Sequence, residues 1–263
     1  MNYFNKWWAL VKARLFIMMR QRLGILTLFV GVAIVPLSLI TARASFVKSE
    51  KIFWDFCLGI IFVLQVLLGT YLSAHMLQEE KARRTLHMTI ATGIPRGVWM
   101  CGQAFGVWLG LCCMILIWTL CSSGAAFLVG GTLPNPIIYQ AQILLMAEML
   151  MVVFLTTFLS IFVRGALAWL LSISFVALAH SITSIQNIFQ NQQYGRYVKM
   201  DFYEYVFQIF NFLPPLEWYD IRVFVGYREP FEATMILSLV LLAVAWAIFL
   251  SLASSFRLSK VDL

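Results

Sequence analysis

Charge is what this sequence has least of. Of its 263 residues only 12% are Asp, Glu, Lys or Arg, whereas 62% are hydrophobic and the mean hydropathy is +0.86. A soluble domain carries about twice that fraction of charge. So apolar a chain needs lipid as its solvent, where backbone groups are satisfied only in helices or in a closed barrel. The apolar runs are about 20 residues long and do not alternate with polar residues, which favours transmembrane helices.

Several patterns that carry chemistry are also missing. No Gly-Lys dipeptide occurs, so the sequence has no phosphate-binding loop of the GxxxxGK[ST] type. The HExxH zinc motif, the GxSxG nucleophile motif and CxxC are absent as well. The five cysteines lie in or beside apolar runs and are interpreted as small buried hydrophobic residues. We therefore expect no catalytic residue, no metal site and no cofactor on this chain.

The net charge of +7 does not indicate nucleic-acid binding, because the positive residues do not form a patch interleaved with aromatics. Lys and Arg sit instead at the ends of the apolar runs, where they orient a membrane protein with its basic side in the cytoplasm. If the N-terminus is placed in the cytoplasm, most of the Lys and Arg residues fall on the cytoplasmic side of the membrane. We expect a multi-pass protein of the bacterial inner membrane with both termini in the cytoplasm and the lipid bilayer as its surroundings.

The apolar pattern predicts an all-α membrane protein. Residues 3–20 form a one-sided helix with Trp and Arg, which is predicted to lie in the membrane interface; the alternative is a leading turn of the first span. The third span is long enough to tilt or break, and Gly124, Gly130 and Gly131 near its end would permit a break. Six transmembrane helices are predicted, at about residues 23–42, 56–78, 98–128, 140–162, 165–185 and 232–255.

The most informative segment lies between the second and third spans, on the predicted cytoplasmic side, at residues 79–97. Thr85 is predicted to cap a short helix over residues 86–91. Gly93 can end that helix, and Pro95 prevents its continuation. A short helix held at both ends between two spans is suited to pass force from a cytoplasmic partner into the membrane.

The stretch EEKARRTLHMTIATGIPRGVWMCGQAFG, residues 79–106, resembles the type 2 ABC exporter permease family. The shared pattern is an acidic residue, Thr-Leu, a short apolar helix, Pro-Arg and then Gly within the next span. Two positions depart from it: Arg84 stands where the family commonly has Gly, and Gly93-Ile94-Pro95-Arg96 replaces P-x-S-R. The likeness covers nearly the whole chain in layout but only about 25 residues in motif.

The resemblance implies a six-span permease subunit with an N-terminal interfacial helix, a cytoplasmic coupling helix and a membrane-dipping segment before the last span. It also implies a dimer, of two copies or of two similar chains, working on separate cytoplasmic ABC ATPase subunits that bind the ATP and Mg. An ordinary loop whose charges only set topology is the alternative. The predicted ATPase-coupling residues are Glu79, Glu80, Arg83, Arg84, Thr85, Leu86, Met88, Ile90, Pro95 and Arg96.

Three polar residues within the predicted spans are candidates for a translocation path or gate: Gln65, Glu148 and His180. Glu148 is the acid of this set, and an unpaired charge there costs ~3 kcal/mol or more. It lies ~12 Å of helix rise from the outer end of its span, and His180 lies at a similar depth, so the two side chains can meet. The alternative role for each is hydrogen bonding between helices.

A further candidate lies in residues 186–231, which are predicted to be on the outer side. Phe202, Tyr205 and Phe210 recur on one face of a helix that Pro214 stops. Such a helix is predicted to lie on or dip into the membrane. It would serve as an outer gate or as a lid that packs over the spans.

Two other classes of function compete with export. Residues 79–84 match EExxxR, the first motif of intramembrane CAAX-type proteases, but none of the three histidines has the Phe four residues earlier that their second motif requires. A scaffold or transducer subunit that transports nothing is the other alternative. The same coupling device would serve it, although a large periplasmic domain would be expected.

Overall fold

The computed structural model describes residues 3–44, 49–82, 93–130, 135–190, 214–221 and 230–259. These residues form long α-helices and one short 3-10 turn, with no strand among them. The 3-10 turn is Leu216–Tyr219. The helices, numbered in chain order, are α1 (Tyr3–Arg20), α2 (Arg22–Ala44), α3 (Ser49–Ala82), α4 (Arg96–Gly130), α5 (Pro136–Phe162), α6 (Gly165–Gln190) and α7 (Ala233–Ser259).

The helices α2 to α7 are each long and apolar enough to cross a membrane. The predicted all-α membrane fold with six spanning helices is therefore confirmed. The helices extend beyond the predicted apolar runs, most of all α3, which begins at Ser49 and ends at Ala82. Gly124 does not break α4, which continues to Gly130.

Three glycines spaced one turn apart form a groove on α4 against which α1 packs. Trp7 of α1 lies against Gly102, and Met18 lies against Gly110. Gly106 between them is so close to α1 that an added β carbon would lie 2.9 Å from a backbone oxygen of that helix. Residue numbers rise together in both helices, so α1 follows α4 in the same direction. Its interfacial position in the membrane remains a prediction.

A bend at Gln21 joins α1 to α2, which continues along α4. The N–H of Ile25 donates to the carbonyl oxygen of Gln21 at 3.1 Å, so helical hydrogen bonding passes almost unbroken through the bend. Further along, the indole Nε1 of Trp118 donates to the carbonyl oxygen of Leu28 at 3.2 Å. The ring of Trp118 lies directly against Gly31. These contacts fix the register of the first two helices on α4.

The helix α5 forms the centre of the bundle. Most of its residues are buried, and it packs against α3, α4, α6 and α7. By contrast, α2, α6 and α7 leave many large apolar side chains exposed, as expected of helices that face lipid. The end where α3, α5 and α7 finish and α4 and α6 begin is called the proximal end. The opposite end, where α3 and α7 begin and α6 finishes, is called the distal end.

Candidate functional site

An ion pair at the proximal end joins α1 to the last turn of α3. Nη1 of Arg14 lies 3.4 Å from Oε2 of Glu79, and Nη2 donates to the carbonyl oxygen of Leu72 at 3.2 Å. The side chain of Arg14 is 2% exposed and that of Glu79 is 31% exposed. Gly106 makes room for Arg14, since an added β carbon there would lie 2.8 Å from the Cβ of Arg14. The predicted coupling segment therefore begins next to an ion pair that water only partly screens.

The other end of that segment is held by α7. Gly93 has a φ of 74°, in the left-handed region that favours glycine. The carbonyl oxygen of Pro95 accepts from the N–H of Trp99 at 3.1 Å, so α4 begins directly after Pro95. Nη1 of Arg96 then donates to the carbonyl oxygen of Leu258 at 3.1 Å, close to the end of α7.

A small hydrophobic cluster lies at the same proximal end as these two contacts. Its buried members come from the ends of α3 and α7 and from the start of α4. The close approach of Gly97 to Ser255 brings α4 and α7 together there. The proximal ends of three helices thus form one packed unit. The buried residues of the cluster are Met76, Leu77, Trp99, Met100 and Leu258.

Several predicted site residues lie outside the described part of the chain. Glu80 is described and lies in the last turn of α3, beside Glu79. The predicted coupling residues and outer-helix residues that fall outside are Arg83, Arg84, Thr85, Leu86, Met88, Ile90, Phe202, Tyr205 and Phe210.

Glu148 and His180 form a close pair towards the distal end. Oε1 of Glu148 lies 2.7 Å from Nε2 of His180, and the two side chains are 2% and 16% exposed. Phe62 of α3 packs edge-on against the imidazole, with ring centroids 5.1 Å apart. The pair therefore links α5 to α6 against α3, and the structure brings together the two residues whose depths matched in the sequence.

Gln65 lies elsewhere, between α3 and α4. It is completely buried, and its Nε2 lies 3.4 Å from the carbonyl oxygen of Leu111. Its Oε1 has no hydrogen-bond partner among the described residues. This arrangement fits a polar contact between two helices.

The 3-10 turn closes over Glu148. The hydroxyl of Tyr219 donates to the carbonyl oxygen of Leu239 at 2.7 Å, which ties the turn to α7. Burial raises the pKa of Tyr219 well above its ordinary value, and the nearby charge of Glu148 raises it further. Asp220, Tyr219 and Glu148 share a small void of about 20 Å³. The buried carboxyl group therefore lies beside the turn as well as beside His180.

A large cavity of about 970 Å³ lies next to this pair, between α3 and α6. Phe62, Val63 and Leu67 line it from α3, and Ile173 and His180 line it from α6. The 3-10 turn and the start of α7 also line it. Val63 is 50% exposed and Leu67 is 41% exposed, so the cavity opens sideways through the flank of the bundle. Its volume is in the range of ordinary small-molecule sites, about 300–1,000 Å³.

Among the described residues of the protease interpretation, His180 lies far from Glu79, whereas Arg84 and His87 fall outside the described part of the chain. His180 lies about 22 Å of helix rise from Gly165, which starts α6 at the proximal end. Glu79 lies at that proximal end and contacts Arg14. His75, one turn before Glu79 on α3, has its Nδ1 3.0 Å from the carbonyl oxygen of Tyr71.

The structural roles of two residues, Arg14 and Gln140, were not predicted from the sequence. Arg14 was counted only among the basic residues that orient the protein in the membrane. It lies three residues after Val11 and four before Met18, so this spacing already placed it on the apolar face of α1. Gln140 holds the backbone just before α7 through two hydrogen bonds. Its Nε2 donates to the carbonyl oxygen of Phe231 at 3.0 Å, and its Oε1 accepts from the N–H of Phe231 at 2.9 Å. No pattern in the sequence pointed to Gln140.

Comparison with protein-family models, with curated proteins and with solved structures finds no significant match to this chain. Within the described ranges, no group of three or more His, Cys, Asp and Glu side chains could hold a metal ion. What the protein does is therefore inferred from its own residues and their geometry.

Proposed function

We propose that this chain is the membrane-spanning permease subunit of an ATP-driven exporter of the ABC type. A separate cytoplasmic ATPase would bind the ATP and Mg and dock on the coupling segment, residues 79–97. The proximal end would then face the cytoplasm of a bacterial cell, and both termini would lie on that side. The resemblance of residues 79–106 and the layout of the six helices support this proposal.

The observation that carries the proposal is that one helix, α3, connects the start of the coupling segment to the cavity. Near its proximal end α3 holds Glu79, which is anchored to α1 through Arg14. The same unbroken helix lines the cavity with Leu67, about 18 Å of helix rise away, and with Phe62, about 26 Å away. A push on the coupling segment would tilt a rigid helix and change the cavity wall. On the other side of the segment, Arg96 would pass movement into α7 through Leu258.

A dimer is part of this proposal. The cavity opens sideways between α3 and α6, where exposed apolar side chains such as Val63 and Leu67 surround it. A second copy, or a similar chain, that packed against this flank would enclose the space between the two subunits. Two coupling segments would then face two ATPase subunits, and ATP-driven closure of those subunits would move both cavity walls together.

Docking of the ATPase is tested with Leu86→Asp. Burial of a Leu side chain contributes about 2 kcal/mol, so loss of this anchor should weaken ATPase binding about 30-fold. His87→Asp, which changes the next residue, is the matched control and should retain the partner. The measurement is the amount of nucleotide-binding protein that co-purifies with the tagged chain from its native membrane in mild detergent. If none co-purifies with the parent, and Leu86→Asp changes nothing, the chain is not an exporter subunit.

Transmission through α3 is tested with Glu79→Gln, which keeps the shape of the side chain and removes its charge. The reporter is the rate at which a lipid-soluble maleimide labels Val63→Cys on the cavity wall. With the ATPase bound, ATP should change that rate in the parent, and Glu79→Gln should reduce the change while the ATPase stays bound. Phe29→Cys, on the exposed face of α2, is the control and should not respond. An equal response to ATP with and without the Glu79 charge would refute transmission through this ion pair.

A further inference from the structure

Two arginines, Arg20 and Arg22, flank the bend between α1 and α2, and both side chains are exposed on the flank of the bundle. Their guanidinium groups make no ion pair or hydrogen bond with the residues that the structure describes. The neighbouring surface of α2 is apolar, with Leu26 60% and Phe29 66% exposed. The bend therefore places two positive charges without a protein partner beside an apolar surface.

Contacts along α4 show how far this bend lies from the proximal end. Met18, in the last turn of α1, packs against Gly110 of α4, whereas Ser255, near the end of α7, packs against Gly97. These two glycines are about 20 Å of helix rise apart. The chain continues from Met18 in the distal direction, since α1 runs the same way as α4. The two arginines of the bend therefore lie about 20 Å nearer the distal end than Arg257 at the end of α7.

Both ends of this step are boundaries of apolar spans. The apolar part of α2 begins at Gly24, two residues after Arg22, and that of α7 ends at Leu258. Basic residues at the ends of spans lie near the head groups of the bilayer. The hydrocarbon core is only about 30 Å thick, so a flat membrane surface perpendicular to α4 does not reach both levels. The head-group layer therefore has to dip towards the bend, as it does around a span that is short for its bilayer.

The chemistry of the bend selects the lipid that fills this dip. An exposed charge at hydrocarbon depth is costly unless a head group reaches it. Guanidinium groups such as those of Arg20 and Arg22 bind phosphate oxygens through charge-assisted, paired hydrogen bonds. The exposed face of α2 continues from Arg22 through Leu26 and Phe29 to Ile40, over about 27 Å of helix rise. That apolar face is longer than half of the ~30 Å hydrocarbon core, so it offers acyl chains of one leaflet a continuous surface.

We infer that the bend between α1 and α2 binds an anionic phospholipid, whose phosphate lies between Arg20 and Arg22 and whose acyl chains lie along the exposed face of α2. The lipid acts as the counter-ion of the two arginines and holds the bend at the head-group layer of the proximal leaflet. Lys12 is exposed about two turns before Arg20 on α1 and attracts anionic head groups to the same flank. The inference needs only the transmembrane architecture and goes beyond the proposed export.

Lipid binding to the purified full chain tests the inference. Native mass spectrometry in mild detergent compares dioleoyl phosphatidylglycerol, which is anionic, with dioleoyl phosphatidylcholine, which has the same chains and no net charge. The parent should bind phosphatidylglycerol at least about tenfold more tightly, and salt should weaken that preference. Arg20→Gln and Arg22→Gln should each lower phosphatidylglycerol binding about fivefold, the effect expected of one basic residue at a membrane surface. Equal affinity of the parent for both lipids, or unchanged affinity in the double variant Arg20→Gln/Arg22→Gln, overturns the inference.

Two control variants separate this site from general effects of charge. Arg43→Gln removes the same charge from an exposed position in the last turn of α2 and should leave the affinity unchanged. An equal loss in Arg43→Gln overturns the location. The double variant Arg20→Lys/Arg22→Lys keeps both charges and should retain most of the binding; a loss as large as that of the Gln variants overturns the role of charge. Thermal melting in detergent checks that each variant is folded, and the single Gln variants decide the question if the double one is not.

The bound species and its place are identified by competition and by photolabelling. Inorganic phosphate and short-chain dihexanoyl phosphatidylglycerol should not displace the dioleoyl lipid, because the acyl chains contribute to binding. Displacement by either at equal concentration indicates a site for a free anion and overturns the assignment to a bilayer lipid. A phosphatidylglycerol with a photoactivatable group on its acyl chain, incorporated into vesicles with the full chain, should label the peptide that contains Leu26 and Phe29. Labelling confined to other helices, or loss of a dimer in Arg20→Gln/Arg22→Gln with lipid binding intact, overturns the inference.

Discussion

The contact between α1 and α4 predicts that a side chain added at Gly106 destabilises the protein. An added β carbon at that position would lie 2.9 Å from the carbonyl oxygen of Val11 and 2.8 Å from the Cβ of Arg14. The first of these atoms belongs to the backbone, so Gly106→Ala forces the whole of α1 to move. Gly124 lies in the same helix, and an added β carbon there meets nothing within 4 Å. Gly124→Ala is therefore a matched control, because both changes raise helix propensity equally.

The difference between the two variants measures the helix contact. Overpacking a tight site costs about 1–3 kcal/mol, while replacing Gly by Ala inside a helix favours the helix by about 1 kcal/mol in both. Gly106→Ala should therefore be about 1–3 kcal/mol less stable than Gly124→Ala. That difference corresponds to a melting temperature roughly 2–12 °C lower if about 2–4 °C per kcal/mol applies.

The assay is reversible unfolding in mixed micelles with an increasing fraction of SDS, together with thermal melting in mild detergent. Gly106→Val extends the series and should lower stability further, since a larger side chain needs a larger shift of α1. Equal stability of Gly106→Ala and Gly124→Ala would show that α1 does not lie in the groove of α4. The contact between Arg14 and Glu79, which needs α1 in this position, would then be excluded as well.

Two further predictions concern orientation and the cavity wall. Reporter fusions after Arg164 should report the cytoplasm, and fusions after Glu232 should report the outside; a cytoplasmic signal at both positions would contradict the six-span arrangement. Gln140→Leu removes the two hydrogen bonds to the partly buried backbone N–H and carbonyl groups of Phe231, which should cost about 0.5–1.5 kcal/mol for each hydrogen bond lost. The measurement is the stability in mixed micelles, and Tyr139→Leu, at an exposed position next to it, should change stability by less than about 0.5 kcal/mol.

Existence and order of the spanning helices follow from the amino-acid sequence. Each span is an apolar run long enough to cross the hydrocarbon core, and a run of that length without alternating polar residues satisfies its backbone in lipid as a helix. The boundaries were less predictable, because a helix continues past its apolar run wherever backbone hydrogen bonds continue. The start of α3 at Ser49, in a stretch with Lys51 and Asp55, shows this effect.

Pairing of Glu148 with His180 was partly predictable. Their distances from the ends of their spans placed them at one depth, since helix rise per residue is constant. Depth alone does not say which way a side chain points around its helix. That direction depends on how α5 and α6 are rotated against each other and against Phe62, and packing of the whole bundle sets it.

The lipid surroundings of this protein, its helices and the position of its charged segment in the chain follow from the order of its residues, because each depends on local composition and periodicity. The tertiary structure alone decided that Arg14 is buried against Gly106 and paired with Glu79, and that the chain around Tyr219 closes over Glu148. It also decided that a cavity opens between α3 and α6. These features join residues far apart in the chain, and their geometry follows from how side chains of different helices fill space together.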